Sequence, residues 1–395
     1  MIDEHTDLIR IAKREHNKKR NYLVVNRLQG KHIPVQPDQA LGMFAQLAER
    51  LEKRFDGEKT LVIGFAETAT AIGATVAIKL GAYYIQTTRE EVEGAQYLYF
   101  SEEHSHATQQ RLVRQDLDGI MPKIGDVVFV EDEVTTGNTI RNLVQTLEQV
   151  YPRHAKYTVA SILNGMDSEA QKIYQSIGID LCYLVKTEHS DYEKALQKHL
   201  SKGRYWNMML TSNPSKKEDL ECGRFDTKKG TNVDGRQTVI MVKEWMVEGC
   251  VNARRLIFSD TYQKACEDLW YKIDKRLHEE LKGRILVLGT EEFMYPALYA
   301  ADQIAKSGAN VWFHATTRSP IEVYQEEDYP LHERYELPSL YEKDRRTFLY
   351  DIGKFDLVLV ITDASCLQRI GVEALVRAAA INNDKIYVQT LKRAR

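Results

Sequence analysis

Apolar residues in this chain fall in short blocks, set apart by longer stretches in which they recur every third or fourth position. Residues 61–64 (LVIG), 83–85 (YYI), 127–130 (VVFV), 157–163 and 181–185 are apolar runs of strand length. Leu41, Phe44, Ala45, Ala48 and Leu51 have helical spacing within residues 37–55, and so do Ile140, Leu143, Val144, Leu147 and Val150. Strands alternating with amphipathic helices predict an α/β fold with a mainly parallel sheet. Residues 201–235 break the rhythm with Asn213-Pro214, several lysines and glycines and little apolar periodicity, and read as a connection between domains.

The rhythm repeats. Residues 285–318 (ILVLGTEEF, then VWFHATTR) echo 61–89 (LVIGFAET, then YYIQTTR), each with a strand, a glycine, an acid three positions on, a helix, a second strand and Thr-Thr-Arg. Arg89 to Asp132 spans 43 positions and Arg318 to Thr362 spans 44, so the spacing holds beyond the match. The chain reads as an N-terminal extension (1–21), a first α/β domain (22–200), the connection (201–235) and a second copy (236–395). At about 150 residues per domain, 395 residues leave room for both.

Composition narrows the class. Hydrophobic residues at 43% and charged residues at 28% exclude disordered and coiled-coil chains. A formal charge of −3 gives no reason to expect nucleic acid or an anionic membrane as partner. The basic run 13–20 reads as a solvated helix face. The five cysteines, Cys182, Cys222, Cys250, Cys266 and Cys366, form no CxxC pair, which argues against a disulfide framework or structural zinc. With no apolar leader and no run of 18 apolar residues, a soluble cytoplasmic protein is expected.

The chemistry concentrates in VVFVEDEVTTGNT, residues 127–139. A four-residue buried strand would deliver Glu131 and Asp132 at its C-terminal end, where open parallel sheets bind ligands. Thr135, Thr136, Gly137, Asn138 and Thr139 then offer hydroxyls, a glycine and the first amides of a helix, which together make a phosphate cradle. Carboxylates beside such a cradle suit a sugar phosphate, the acids taking two ribose hydroxyls. Gly64 to Thr70 (GFAETAT) is a second anion site of the same physical kind.

EDEVTTGNT resembles the phosphoribosyl-pyrophosphate (PRPP) motif of type I phosphoribosyltransferases. The whole chain resembles a bacterial family in which a phosphoribosyltransferase domain precedes a TRSP domain, a family associated with tellurium-resistance and stress gene clusters; Thr317-Arg-Ser-Pro320 carries the second domain's tag. The resemblance implies two tandem phosphoribosyltransferase-like domains, the second degenerate. It also implies a pentosyltransferase of nucleotide metabolism, with PRPP and a nucleobase-like molecule as substrates. Glu131 and Asp132 would hold the ribose and Thr135 to Thr139 the 5′-phosphate. Phe65, Ala66, Glu67, Thr68 and Arg89 would face pyrophosphate, with Glu67 bridging Mg²⁺ or making a structural hydrogen bond. Mg²⁺ would come bound to PRPP, with Asp132 as its candidate protein ligand. Orotate-type relatives carry a hood with Lys and His between the positions of Arg89 and Arg111. This chain has no lysine there, leaving His104, His106, Arg89 and Arg111, and the two histidines could alternatively bind a metal.

Displacing pyrophosphate from ribose C1 builds positive charge on the sugar and negative charge on the leaving group, which two anion loops, Mg²⁺ and a lid would stabilise. Aligning FDLVLVITDASCLQR with GDVVFVEDEVTTGNT sets Ile361 and Thr362 at Glu131 and Asp132, Leu367 at Gly137 and Arg369 at Thr139. The second copy is therefore expected to lose PRPP. His314, Arg318 and Ser319 become candidates for another anionic ligand, or that loop simply supports the core. Either a homodimer or an internal pseudo-dimer is expected. A PRPP-sensing regulator without turnover and a PRPP synthetase are the competing functions.

Overall fold

The computed structural model describes residues 8–17, 20–100, 110–152, 155–189, 191–209, 225–231, 237–250, 252–364 and 369–393. The chain opens with β1 (Ile9–Lys13), β2 (Tyr22–Asn26) and α1 (Pro37–Leu51), followed by β3 (Thr60–Gly64), α2 (Thr70–Leu80) and β4 (Tyr83–Gln86). Next come β5 (Tyr97–Phe100), β6 (Gln110–Val113), α3 (Arg114–Ile120), β7 (Asp126–Val134), α4 (Asn138–Val150), β8 (Lys156–Asn164), α5 (Ser168–Ser176) and β9 (Ile179–Lys186). Then follow α6 (Tyr192–Leu196), β10 (Arg204–Asn207), β11 (Phe225–Thr231), β12 (Gln237–Cys250), β13 (Ile257–Phe258) and α7 (Ser259–Leu277). The last elements are β14 (Arg284–Gly289), α8 (Tyr295–Lys306), β15 (Asn310–Ala315), β16 (Glu333–Pro338), β17 (Arg346–Tyr350), β18 (Leu357–Thr362), α9 (Arg369–Ala379) and β19 (Lys385–Arg393).

Two compact units emerge, and their limits cut across the division expected at residues 22, 200 and 235. The first comprises Leu41–His189 with Val251–Ala265; the second comprises Met1–Ala40, Ser190–Cys250 and Cys266–Arg395. The β1–β2 hairpin belongs to the second unit because its apolar residues Ala12, Leu23 and Val25 pack with Ile321, Val323, Tyr329 and Phe348. The described residues of the basic run, 13–17 and 20, are therefore not helical: Lys13 ends β1 and pairs with Glu322 at 3.3 Å, and the Arg20 guanidinium stacks over Tyr22. Part of the expected connection is also ordered. β10 pairs in parallel with β16.

In the first unit the sheet order is β13-β4-β3-β7-β8-β9, with the five strands from β4 to β9 parallel and β13 antiparallel on the β4 edge. In the second it is β15-β14-β18-β19-β12-β11, five parallel strands with β11 antiparallel at the other edge. In chain order β4-β3-β7-β8 and β15-β14-β18-β19 correspond strand for strand, but the fifth place is taken by β9, which follows β8, in the first unit and by β12, which precedes β14, in the second. An α/β fold with parallel-rich sheets is thus present in both units.

The helices form where the pattern asked. α1 starts on Pro37, whose missing N–H costs nothing at that position, and buries Ala40, Met43, Phe44, Leu47, Ala48 and Leu51. α4 buries Ile140, Leu143, Val144 and Leu147. Among the described residues no helix is long and apolar enough to cross a membrane.

Candidate active site

The site is built at the C-terminal ends of β3, β4 and β7 in the first unit. β7 is nine residues long rather than four, because β8 matches it and their ladder continues through Glu131↔Ser161 to Val134↔Asn164. Glu131 and Asp132 therefore sit on regular strand, half-buried, with fixed backbone directions. Asp132 Oδ1 accepts a 2.6 Å hydrogen bond from the Thr68 hydroxyl, tying the acidic pair to the GFAETAT loop.

After β7 the chain turns through Thr135 and Thr136 to Gly137, which precedes α4 at φ +73°. This left-handed conformation favours glycine, and a Cβ there would press on the ring of Tyr174. The Tyr174 hydroxyl donates to the Gly137 carbonyl at 2.5 Å, and burial pushes the phenol's pKa up, so it remains a donor. Asn138 Oδ1 accepts from Arg141 at 2.5 Å, which orders the first turn. Thr136 is exposed, while Thr135, Asn138 and Thr139 are half-buried. A thirteen-residue helix thus presents its N-terminal amides and dipole beside three threonine hydroxyls, an arrangement suited to a phosphate.

The opposing loop is held from behind. Phe65 N donates to Val130 O at 3.0 Å, and Ala66 N donates to Thr87 Oγ1 at 2.8 Å. The Gln110 side chain closes the arrangement: its amide donates to Ala66 O at 3.2 Å and its oxygen accepts from the Thr87 hydroxyl. Phe65 and Ala66, expected to face an anion, have their amides committed and their side chains buried. They shape the loop. The Glu67 carboxylate is buried. Gly64 and Gly73 let β3 and α2 approach closely, since a Cβ on Gly73 would lie 2.8 Å from Gly64 Cα.

Thr87, Thr88 and Arg89 follow β4. Thr88 exchanges two backbone hydrogen bonds with Arg111, at 2.9 and 3.1 Å, and Arg111 Nη2 donates to Arg89 O at 2.8 Å while its guanidinium lies over Tyr97. The half-buried Arg89 side chain is carried on this braced loop. His104 and His106 lie outside the described residues, so the hood expected there has no structural account. Nothing in the sequence singled out Gln110, Tyr174 or Thr87 as supports, for each acts through contacts far along the chain. The Thr-Thr-Arg repeat was the one available hint.

The second unit repeats part of this bracing. Glu291 N donates to Thr316 Oγ1 at 2.9 Å, Thr316 N to Gly289 O at 3.2 Å, and Thr317 exchanges backbone bonds with Phe348. Ser319 N donates to Thr317 Oγ1 as Glu90 N does to Thr88 Oγ1. The register corrects the expected alignment by one position. Leu288 pairs with Val360 as Ile63 pairs with Phe129, which puts Thr362 and Asp363, not Ile361 and Thr362, at the places of Glu131 and Asp132. One acid, Asp363, therefore stands at the corresponding place, and its surroundings are filled. The Tyr341 hydroxyl donates to Asp363 Oδ1 at 2.8 Å and lies 2.6 Å from Thr290 Oγ1. Glu291 is held by Ser339 and Arg345, both at 2.6 Å.

Of the three candidates for a second ligand, the Arg318 and His314 side chains are engaged within the fold and Ser319 is tied through its backbone carbonyl. Arg318 pairs with Glu292 at 3.3 Å, and Ser319 O accepts from Tyr350. His314 is fully buried between the carbonyls of Gly30 and Tyr350, at 3.1 and 3.0 Å. Burial pushes its pKa down to about 4, outweighing the two carbonyls that favour the cation. The unfolded chain binds this proton near pH 6.5, so between 6.5 and 4 the folded state holds fewer protons and stability falls as pH falls. Urea unfolding is expected to show a loss of roughly 2 kcal/mol between pH 6.5 and 5 that a His314→Gln variant lacks. Equal slopes for the two proteins would mean His314 is protonated in the fold.

A family model for phosphoribosyl transferase matches residues 8–188, and a second, for the TRSP domain C-terminal to that transferase domain, matches residues 255–378. No curated protein matches the chain. Similar solved structures include the adenine phosphoribosyltransferases of Rhodothermus marinus (14% identity, 46% of this chain and 94% of that one, TM-score 0.33) and Thermoanaerobacter pseudethanolicus (16%, 46% and 96%, 0.33). Another is that of Giardia lamblia complexed with 9-deazaadenine (14%, 46% and 95%, 0.33).

Proposed function

Because this chain belongs to the family that joins a phosphoribosyl transferase domain to a TRSP domain, we propose that its first unit transfers ribose 5-phosphate from PRPP to a ring nitrogen of a nucleobase-like acceptor, releasing pyrophosphate, with Mg²⁺. The observation that carries this reading is the pairing of the Glu131–Asp132 strand end with two anion-suited loops, joined by the Thr68–Asp132 hydrogen bond.

In this reading Thr135, Thr136, Thr139 and the α4 amides hold the 5′-phosphate, and the two carboxylates take the ribose hydroxyls from the side that turns cationic as the C1–O bond breaks. The amides of Glu67 and Thr68, with Arg89, receive the charge that develops on pyrophosphate. Positioning and fixed dipoles supply most of the barrier reduction. Among the described residues no three His, Cys, Asp or Glu side chains converge on a metal position. What the chain offers Mg²⁺ is the acidic pair, and the rest of a shell would come from substrate oxygens and water. Bound there, the ion would neutralise part of the leaving group's charge.

The second unit reads as a degenerate copy whose site is closed by its own Tyr341, Ser339 and Arg345. Calorimetric titration of the full chain with PRPP and Mg²⁺ is expected to give one site per chain, and a panel of bases is expected to yield one that releases pyrophosphate. Two sites would contradict the closed second copy. Binding without release from any base would favour a sensor, and no binding would remove the proposal.

A further inference from the structure

We infer that Arg254, far beyond the end of the transferase match at residue 188, is a positioning residue for the first unit's 87–90 loop; this rests on reading that loop as the pyrophosphate side of the site. The Arg254 side chain is 1% exposed and its Nη2 lies 2.7 Å from Oε2 of Glu90, itself 4% exposed at the side chain. Asn252 orients it, its Oδ1 accepting from Arg254 N at 3.1 Å and Nη1 at 3.2 Å. One residue away, Ala253 O accepts from Gln86 N at 2.9 Å. Residues 86 and 90 are therefore gripped from the same short segment, and Thr87, Thr88 and Arg89 lie between the two grips.

The segment itself is fastened independently. Arg255 makes a bidentate pair with Asp116 at 2.6 and 2.7 Å, and Ile257 and Phe258 add the antiparallel edge strand to β4. A buried ion pair contributes little net stability, yet it fixes direction when both partners are rigidly mounted, as here. Its use in this place is to set the backbone that carries Arg89. The loop that would receive the leaving group is thus completed by sequence from the start of the TRSP side of the chain.

The test is isothermal titration of the full-length protein, with inorganic pyrophosphate plus Mg²⁺ and, separately, with ribose 5-phosphate. In Arg254→Met, pyrophosphate affinity is expected to fall about tenfold or more while ribose 5-phosphate affinity stays within about twofold, since loops displaced by an ångström lose strongly. Should that variant misfold around an unpaired Glu90, the Arg254→Met/Glu90→Gln double variant removes both charges and is expected to show the same split. Pyrophosphate binding equal to wild type in the variants overturns the inference, and so does a parallel loss of both ligands, which marks a structural role only. If wild type binds neither ligand, the reading of the site falls and the inference falls with it.

Discussion

Asp132→Asn is expected to lower kcat/KM for pyrophosphate release about a hundredfold or more, as removal of a group that stabilises transition-state charge does elsewhere, while leaving the fold intact. The separation follows from the geometry. Asp132 Oδ1 is an acceptor for the Thr68 hydroxyl, and an asparagine carbonyl oxygen can accept the same bond. What is lost is the negative charge that the proposed reading sets against the ribose, beside Glu131 on the same strand end. Loss of one of two adjacent carboxylates also relieves their repulsion, so urea unfolding is expected to shift by no more than about 0.5 kcal/mol. Glu131→Gln should resemble it, and the double variant should fall short of the product of the two, because the pair acts as a unit. Turnover within a few-fold of wild type in Asp132→Asn would take the acidic pair out of the mechanism.

How far the site could be read in advance depends on which distances along the chain carry it. The strand, the acids, the threonine-rich turn and the helix all lie within residues 126–150, and local rules place them: α4 buries Ile140, Leu143, Val144 and Leu147 as their spacing requires. The sequence alignment sets the second unit's β18 one residue out of phase with β7, and the reason is physical. β18 reads LVLVIT and is buried along its whole length, so it lacks the alternation that would fix its register; only its pairing with β14 and β19 does so. The Asp356 that anchored the sequence alignment to Asp126 has a different task, capping Arg284 N at 2.7 Å before the strand begins.

The unit limits were hidden for a related reason. A hairpin such as β1–β2 shows an apolar face in its sequence but not the partner for that face, which here comes more than three hundred positions later at Tyr329 and Phe348. Arg254 and Gln110 had no signal of any kind, being single polar residues whose partners at Glu90 and Ala66 become neighbours only after the sheet forms. The residues assigned to the ligand were legible as candidates, since ligand chemistry restricts type and spacing. Residues that hold those in place were not.

Gly137→Ala is expected to do the most damage of any single methyl group added to this site. The position holds φ +73°, which costs a residue with a Cβ about 1 kcal/mol or more, and the new Cβ would lie 2.6 and 2.7 Å from Tyr174 Cζ and Cε2. The ring is fully buried and cannot swing aside freely, so overpacking adds about 1–3 kcal/mol. Relief by shifting the loop would instead break the Tyr174 bond to Gly137 O and pull the α4 amides off the phosphate position. Urea unfolding should therefore report a loss of roughly 2–4 kcal/mol, and ribose 5-phosphate affinity in the folded fraction should drop about a hundredfold. Tyr174→Phe separates the two causes. It removes the hydrogen bond, worth about 1 kcal/mol, leaves glycine its conformation, and should weaken ribose 5-phosphate far less. If Gly137→Ala binds ribose 5-phosphate as wild type does, the turn before α4 is not the phosphate cradle, and the 5′-phosphate must be sought at the loop after β3.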